Sequence, residues 1–339
     1  MSTISDVAKR AGVSTMTVSR VINNSGYISH ETQERVRKAI TELGFVPNAL
    51  ARSLRFKQTK TLALVLTDIT NPFFTTLARG VEDAASENGF TVMFSNTDES
   101  AAEEAEHIHT LLQKQVDGFL LVPTARSGET IVQMQERNTP VVVLDRRVPG
   151  VRVDTVRSDS IPGAHAVTRH LIDLGHHRIA MLSGPLEIST SADRAEGYRQ
   201  AMEDAGIAIH PDWLHYGQFT QGSGYEMARA ILTLDPRPTA VFAGNNFIAI
   251  GAYTALREAG LRIPQDISLV TFDDLPAYLM MEPFLTTVDQ PAYEMGYQAT
   301  KLLLGYLEGD PPAEPREILL HTRLIIRYSS GKPPAEVQA

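Results

Sequence analysis

Ten polar and aromatic residues lie where α/β proteins bind ligands. Apolar runs such as TLALVL and PVVVL have the composition of buried parallel strands, and ligands bind beyond the carboxyl ends of such strands. Carboxylate, amide and guanidinium groups can make paired hydrogen bonds to hydroxyls, whereas phenylalanine rings can cover the C–H faces of a sugar. The candidate ligand-binding residues are Asn71, Phe73, Phe74, Asp145, Arg146, Arg194, Phe219, Asn245, Asp273 and Gln290.

A second group of candidates lies near the N-terminus, on the second helix of a predicted helix-turn-helix. Thr3 and Ser14 are N-cap residues of two short helices, and Gly12 ends the first of them. The second helix of such a motif enters the major groove, where Arg20 can pair with guanine and Met16 offers an apolar contact. The candidate DNA-binding residues on this helix are Thr15, Met16, Thr17, Ser19 and Arg20.

The distribution of charge supports this assignment. The net charge of the chain is −9, but residues 1–60 hold ten basic and four acidic residues, whereas the remainder holds 21 basic and 36 acidic residues. A basic head on an acidic body indicates that only the head contacts a polyanion.

Other kinds of chemistry find little support. The chain has no cysteine, which excludes disulfides, thiolate zinc sites and a cysteine nucleophile. His107 and His109 do not share a helix face, and the adjacent His176 and His177 lack further ligands, so we expect no metal and no cofactor. Asp273 and Asp274 have no accompanying nucleophile, so we expect no enzyme activity.

Strands and helices alternate from Leu62 onward, which predicts an α/β body with doubly wound parallel sheets. We expect two lobes, the first over about 61–158 plus 291–320 and the second over about 159–290 plus 321–328. In front of this body at 61–328 we expect an all-α helix-turn-helix head at 1–47, and a hinge helix and linker at 48–60. ILLHTRLII is predicted as one strand, and the polar tail from Ser329 is expected to fray.

The motifs ISDVAKRAGVSTMTVSRVIN and VPNALARSL closely resemble the lactose-repressor (LacI/GalR) family of transcriptional regulators. The similarity continues through DITNPFF, HLIDLGHHRIAMLSGP, ISLVTFDD and LTTVDQP and covers about residues 3–327. It implies a homodimer on a pseudo-palindromic operator, with a hinge helix that forms on binding and an apolar wedge at Leu54 that kinks the minor groove. The further DNA-binding residues implied are Asn48, Ala51, Arg52 and Leu54.

The body resembles the periplasmic sugar-binding fold, and the ten candidate ligand residues are similar to the ligand set of periplasmic ribose-binding proteins. The resemblance therefore implies a ribose-like monosaccharide as effector. Where the family usually has Asn-Asp, this chain has Asn245 and Asn246, and we expect Asn246 to cap the following helix.

The preferred hypothesis is a cytoplasmic repressor controlled by a small sugar. A hexose, a purine or nucleoside, or a phosphocarrier protein remain alternative effectors, and a sugar-acting enzyme or a stand-alone binding protein are rival classes. No apolar run is long enough to span a membrane, and we expect none of the chain to do so. After Arg327 no apolar heptads follow, so we expect a dimer and not a tetramer.

Overall fold

The computed structural model describes residues 2–23, 25–46, 58–275, 283–310 and 312–334. The predicted DNA contacts Asn48, Ala51, Arg52 and Leu54 lie outside these ranges. The chain divides into two compact units, Met1–Thr59 and Lys60–Ala339, and each is described by itself. Within the described ranges, no helix combines the length and the apolar character needed to cross a bilayer.

The first unit contains three helices, α1 (Ile4–Ala11), α2 (Thr15–Ile22) and α3 (His30–Leu43). The predicted caps form: Thr3 and Asp6 make a reciprocal capping box on α1, and the Ser14 hydroxyl accepts from the Thr17 N–H at the start of α2. Apolar residues of all three helices, such as Val7, Val18 and Val36, meet in one small core. This packing holds α2 as a rigid element with its polar face outward.

The second unit is an α/β body. Its elements in chain order are β1 (Thr61–Leu66), α4 (Pro72–Glu87), β2 (Thr91–Asn96), α5 (Ala101–Gln113), β3 (Gly118–Leu121), α6 (Gly128–Glu136), β4 (Val141–Leu144), β5 (Asp154–Ser158), α7 (Ser160–Asp173), β6 (Ile179–Ser183), α8 (Ser189–Asp204), β7 (Leu214–Tyr216), α9 (Gln221–Leu232), β8 (Ala240–Ala243), α10 (Asn246–Glu258), β9 (Ser268–Phe272), β10 (Thr286–Asp289), α11 (Ala292–Glu308), β11 (Glu317–Leu320) and β12 (Arg323–Ile325).

These strands form two six-stranded sheets, one in each lobe. The order is β11-β5-β4-β3-β1-β2 in the first lobe and β12-β10-β9-β8-β6-β7 in the second. Every strand pair is parallel except β10 with β12. Central strands such as VVVL and SLVTF are wholly buried because helices cover both faces of each sheet.

The chain passes between the lobes three times: after β5, after β10, and between β11 and β12. Helix α11 returns to the first lobe and packs closely on α4, where a Cβ at Gly80 would lie 2.0 Å from the Tyr293 carbonyl oxygen. The amino end of α4, which carries three of the candidate ligand residues, is therefore supported by a helix from the far end of the chain.

Two expectations about the C-terminal part were wrong. ILLHTRLII forms two strands in different sheets, because the Asp159 carboxylate binds His321 and the Thr322 N–H between them. At Ser329, where the polar tail begins, the chain is docked rather than frayed: the buried Ser329 hydroxyl donates to the Leu269 carbonyl and accepts from the Thr286 N–H. Its polar side chain supplies hydrogen bonds to the second sheet, which composition alone did not reveal.

Candidate functional site

A cavity of about 300 Å³ lies between the two lobes, at the carboxyl ends of their strands. All ten candidate ligand residues line it, which places residues more than 200 positions apart in the sequence around one space. The rule that ligands bind beyond the carboxyl ends of parallel strands therefore predicted where these residues meet. Their role in ligand binding stays a prediction.

Asp145 and Asp273 occupy equivalent positions directly after β4 and β9. Both have left-handed backbones, with φ of 65° and 67°. Each backbone N–H donates to a carbonyl of the next strand, Val156 or Val288, at 2.9 Å. A left-handed aspartate costs about 1–2 kcal/mol, so the neighbouring strand must hold it in place. The left-handed conformation of these two residues places one carboxylate from each lobe in the wall of the cavity.

Arg146 is 4% exposed and is held as a fork. Its Nη1 and Nη2 donate to the Glu99 carboxylate at 2.7 and 2.5 Å, and Nη1 also donates to the Pro123 carbonyl at 2.9 Å. This geometry is bidentate, which fixes the plane of the guanidinium as well as its position.

Arg194, on α8, plays the corresponding part in the second lobe. Its Nη1 donates to the Gly244 carbonyl at 2.6 Å and lies 3.7 Å from the Asp273 carboxylate. The guanidinium carbon lies 4.0 Å from the centre of the Phe272 ring. Gln290 completes the group, because its side-chain amide donates to Asp273.

Burial raises the pKa of both aspartates. The pKa of Asp145 rises from 3.8 to about 6 because its burial outweighs the attraction of Arg146 and Arg194. The pKa of Asp273 is also raised by burial, against the opposing effects of Arg194 and the Gln290 hydrogen bond. Burying the two ionised carboxylates thus costs free energy, and a ligand that donates hydrogen bonds to them would reduce this cost.

Four buried polar atoms of this group have no hydrogen-bond partner among the described residues. They are the acceptors Asp145 Oδ1 and Gln290 Oε1 and the donors Arg146 Nε and Arg194 Nε. Unmet buried groups of this kind are costly, and a ligand that both donates and accepts hydrogen bonds would satisfy them.

Aromatic side chains give the cavity apolar walls from both lobes. Phe73 and Phe74, in the first turn of α4, meet edge to face with their centroids 5.1 Å apart. Phe219 comes from the second lobe and packs on Gly184, where a Cβ would lie 2.4 Å from the ring. Gly184 is therefore needed for the ring to occupy this position.

The three asparagines have two different roles. Asn71 and Asn245 cap α4 and α10, accepting from Phe73 N at 3.0 Å and Ile248 N at 2.9 Å. The expectation that Asn246 caps α10 was wrong, because the extended backbone of Asn245 brings its own side chain to the Ile248 N–H. Asn246 is fully buried, and its Nδ2 donates to Asn71 Oδ1 across the two lobes at 3.0 Å.

Sequence reasoning missed seven other residues that line the cavity: Thr67, Asp68, Asp98, Glu99, Thr190, Gln218 and Thr220. Asp68, Asp98 and Glu99 follow β1 and β2, so the same strand-end rule could have identified them. The pairing of Glu99 with Arg146 could not be predicted from the sequence, because it depends on the left-handed backbone of Asp98 and Glu99.

The candidate DNA contacts that the structure describes all lie on α2. Thr15, Met16 and Arg20 are exposed, whereas Thr17 and Ser19 are half-buried. Met16 is 64% exposed, so its side chain is free to contact a partner. The hydroxyls of Thr17 and Ser19 already contact Ser14 and Asn23, so they are less available than predicted.

In the part of the chain that the structure describes, no cluster of three or more His, Asp or Glu side chains could hold a metal ion. A helix-turn-helix together with a two-lobed α/β body and a polar cavity defines a ligand-sensing DNA-binding regulator. Two family profiles match the chain: "Bacterial regulatory proteins, lacI family" at residues 3–48, and "Periplasmic binding proteins and sugar binding domain of LacI family" at 59–327. The chain belongs to the LacI family of bacterial regulatory proteins.

Curated relatives are transcriptional repressors and not enzymes. The ribose operon repressor of Escherichia coli (strain K12) is 40% identical over 305 residues, which cover 90% of this chain and 92% of that protein. The HTH-type transcriptional repressor PurR of Erwinia tasmaniensis is 40% identical over 307 residues, which cover 90% of each chain.

Solved structures of the same family share the fold. The lac repressor dimer bound to operator and the anti-inducer ONPF gives a TM-score of 0.84 at 27% identity, covering 97% of this chain and 99% of that one. A LacI family regulator from Enterococcus faecium with bound ribose gives 0.71 at 33% identity, covering 80% of this chain and 98% of that one.

Proposed function

We propose that this regulator represses transcription as a cytoplasmic homodimer on a pseudo-palindromic operator, and that an uncharged, ribose-like monosaccharide in the cleft controls it. One observation carries the proposal: both lobes contribute to a single cavity in whose described lining two buried acceptors, two buried donors and the Thr67 hydroxyl lack hydrogen-bond partners. A sugar hydroxyl both donates and accepts, so adjacent hydroxyls can satisfy such a mixture.

The charge of the cavity favours an uncharged ligand. Five carboxylates line it, from Asp68, Asp98, Glu99, Asp145 and Asp273. Among the described residues of that lining, only Arg146 and Arg194 carry cationic side chains, and both already contact carboxylates. A phosphorylated sugar would meet a surplus of negative charge, whereas a free sugar would not.

The relatives support the same ligand class. One curated relative is a ribose operon repressor, and one solved family member holds ribose. The dimer and operator are proposed from the solved lac repressor dimer bound to operator together with the exposed face of α2. The aromatic walls formed by Phe73, Phe74 and Phe219 also suit the flat face of a purine, which is the second candidate.

In the proposed mechanism, ligand contacts residues of both lobes and so favours the arrangement in which the lobes are closed. Asp145 and Arg146 come from the first lobe, and Arg194 and Asp273 come from the second. Closure then changes the spacing of the first lobes in the dimer, and with it the ability of the two heads to bind one operator.

Titration calorimetry on the full chain tests the effector, using ribose, other pentoses, hexoses, purines and ribose 5-phosphate. We expect ribose or a similar pentose to bind and the phosphorylated sugar not to bind. Asp273→Ala should lower ribose affinity by about 2–4 kcal/mol, because it removes a charged acceptor and leaves buried donors unpaired. Phe219→Ala should lower it by about 1–3 kcal/mol through lost apolar contact.

Asp204→Ala is a suitable control, because this aspartate lies on α8 with its side chain 64% exposed and away from the cavity. It should leave ribose affinity unchanged. Binding of a purine without binding of any pentose or hexose would contradict the sugar assignment and would assign the aromatic walls to base stacking.

A further inference from the structure

The two lobes are joined beside the cavity by a cluster of ion pairs, which we name the Asp193 clasp. Asp193, on α8 of the second lobe, is 6% exposed and pairs with two arginines of the first lobe. Arg147 donates to one carboxylate oxygen, and Arg157 Nη1 lies 3.5 Å from the other. The Arg147 backbone N–H also donates to the Ser189 hydroxyl at 2.9 Å.

The clasp is continuous with the cavity but is not part of its lining. Arg147 directly follows Arg146, and Asp193 directly precedes Arg194. In each pair one residue lines the cavity, whereas the other pairs with the opposite lobe. A rigid movement of the lobes that separates Arg147 from Asp193 must therefore also change the distance between Arg146 and Arg194.

The charges around Asp193 favour the closed arrangement of the lobes. Arg157 also binds Glu317 of its own lobe at 2.5 Å, so it keeps one partner when the lobes separate. Asp193 has no such second partner on α8: its two cationic partners both come from the first lobe. Separation of the lobes takes both cations away from Asp193 and exposes the carboxylate to water, so the ion pairs favour the closed arrangement by as much as their attraction exceeds this hydration.

A second, uncharged contact joins the lobes at another point of the cleft. It is the hydrogen bond from Asn246 to Asn71, in which both side chains are buried. The lobes thus contact each other through their own side chains at two points of the cleft.

We propose that Asp193 is a positioning residue of the effector site: its ion pairs hold the lobes closed before the effector binds, and so raise effector affinity without touching the effector. The proposal rests on the proposed function, because it assigns the regulation of that same cleft. The apparent affinity of a ligand is reduced by the fraction of protein in the binding-competent form, so weakening the clasp must weaken binding.

The test uses the full chain with spin labels. The protein has no cysteine, so Glu106→Cys on α5 and Glu226→Cys on α9 provide one label site in each lobe, both at exposed positions. Inter-lobe distances are measured without ligand by pulsed electron paramagnetic resonance. Labelled chains are diluted with unlabelled ones, so that distances within one chain are measured. Asp193→Asn should broaden the distribution and shift it to longer distances.

The same variant should bind ribose about tenfold more weakly, because a smaller fraction of it is closed. Its ribose-bound distances should equal those of the parent, since the ligand restores closure. The matched control is Asp173→Asn, which breaks the ion pair with Arg169 on the surface of the second lobe and should change neither quantity.

Arg147→Gln provides a second variant from the first lobe, and its partly exposed side chain makes a folding defect less of a concern. It should open the lobes as Asp193→Asn does, and the double variant should add little to either single change. Parent-like ligand-free distances in both variants would overturn the proposal. If the parent binds no sugar, the proposed effector is wrong, whereas the ligand-free distances still decide the role of the clasp.

Discussion

Asp145 combines a left-handed backbone, a buried carboxylate and an oxygen that has no hydrogen-bond partner among the described residues. Each of these features destabilises the folded chain in the absence of ligand. Their coincidence beside a cavity is typical of a binding site, where stability is lost in favour of function.

The raised pKa of Asp145 gives a prediction for stability against pH. Because its pKa is about 6 in the folded state and near 3.8 in the unfolded state, the folded state binds an extra proton between these values. The free energy of unfolding should therefore fall as pH rises through this window and stay lower above pH 6, by about 3 kcal/mol at 1.36 kcal/mol per pKa unit.

Asp145→Asn removes this ionisation and keeps a residue that tolerates the left-handed backbone. Urea unfolding without ligand should show the variant to be more stable than the parent at pH 7.5 and of equal stability near pH 4. The same variant should bind ribose more weakly. A parent whose stability does not change between pH 4 and pH 6.5 would contradict the assignment.

The sequence could identify those site residues that directly follow a single predicted strand. Asp145 and Asp273 each end an apolar run, so their place at the cleft was predictable. The partners Glu99 and Asn246 were not, because the contacts of Glu99 with Arg146 and of Asn246 with Asn71 depend on how distant segments meet.

Among the elements, strand β2 has an exposed apolar surface that the isolated chain leaves uncovered. It forms the outer edge of the first sheet, and Met93 and Phe94 are 41% and 46% exposed. An edge strand with large apolar side chains is prone to pair with another chain. In the proposed homodimer, we expect the partner subunit to cover this edge.

Phe94→Glu should therefore weaken the dimer, because it places a charge in an apolar contact. Sedimentation velocity on the full chain at micromolar concentration should show mainly monomer for this variant and dimer for the parent, with no stable tetramer. Leu319→Glu is the matched control on β11, the opposite edge of the same sheet, where Leu319 is 47% exposed. The assignment fails if the control dissociates and Phe94→Glu does not.

At the scale of elements, the sequence predicted the periodic helices and the apolar strands and missed the polar strands. Three caps of the head helices and the buried central strands had strong local patterns. Strands β5, β7 and β10 were not identified, because they are three to five residues long and carry polar side chains. Their pairing with neighbouring strands, and not their own composition, makes them strands.

Across the whole molecule, the basic and acidic residues are separated along the chain. Ten basic residues stand in residues 1–60, whereas the rest of the chain carries a strong acidic excess. The acidic body disfavours non-specific contact with DNA, so affinity should depend on the head and the hinge.

The salt dependence of DNA binding should reflect this separation. If about half of the basic residues of each head contact phosphate, a dimer neutralises roughly 8–12 charges, and the slope of log K against log salt should be about −7 to −11. Fluorescence anisotropy on a duplex selected from a random library can measure this slope. Deletion of residues 1–60 should abolish binding, and a slope near −2 would exclude the proposed mode of binding.

The three crossings between the lobes also affect how the protein is made. The first lobe begins at β1 but lacks α11 and β11 until about residue 320 has been synthesised. Until then the face that α11 covers on β3 and β4 is exposed on the ribosome, with apolar residues such as Leu120 and Val142 open to water. Neither lobe can complete its core from a contiguous nascent segment, so completion of both cores must wait until translation is almost finished, and until then the exposed apolar surface makes the incomplete chain prone to aggregate.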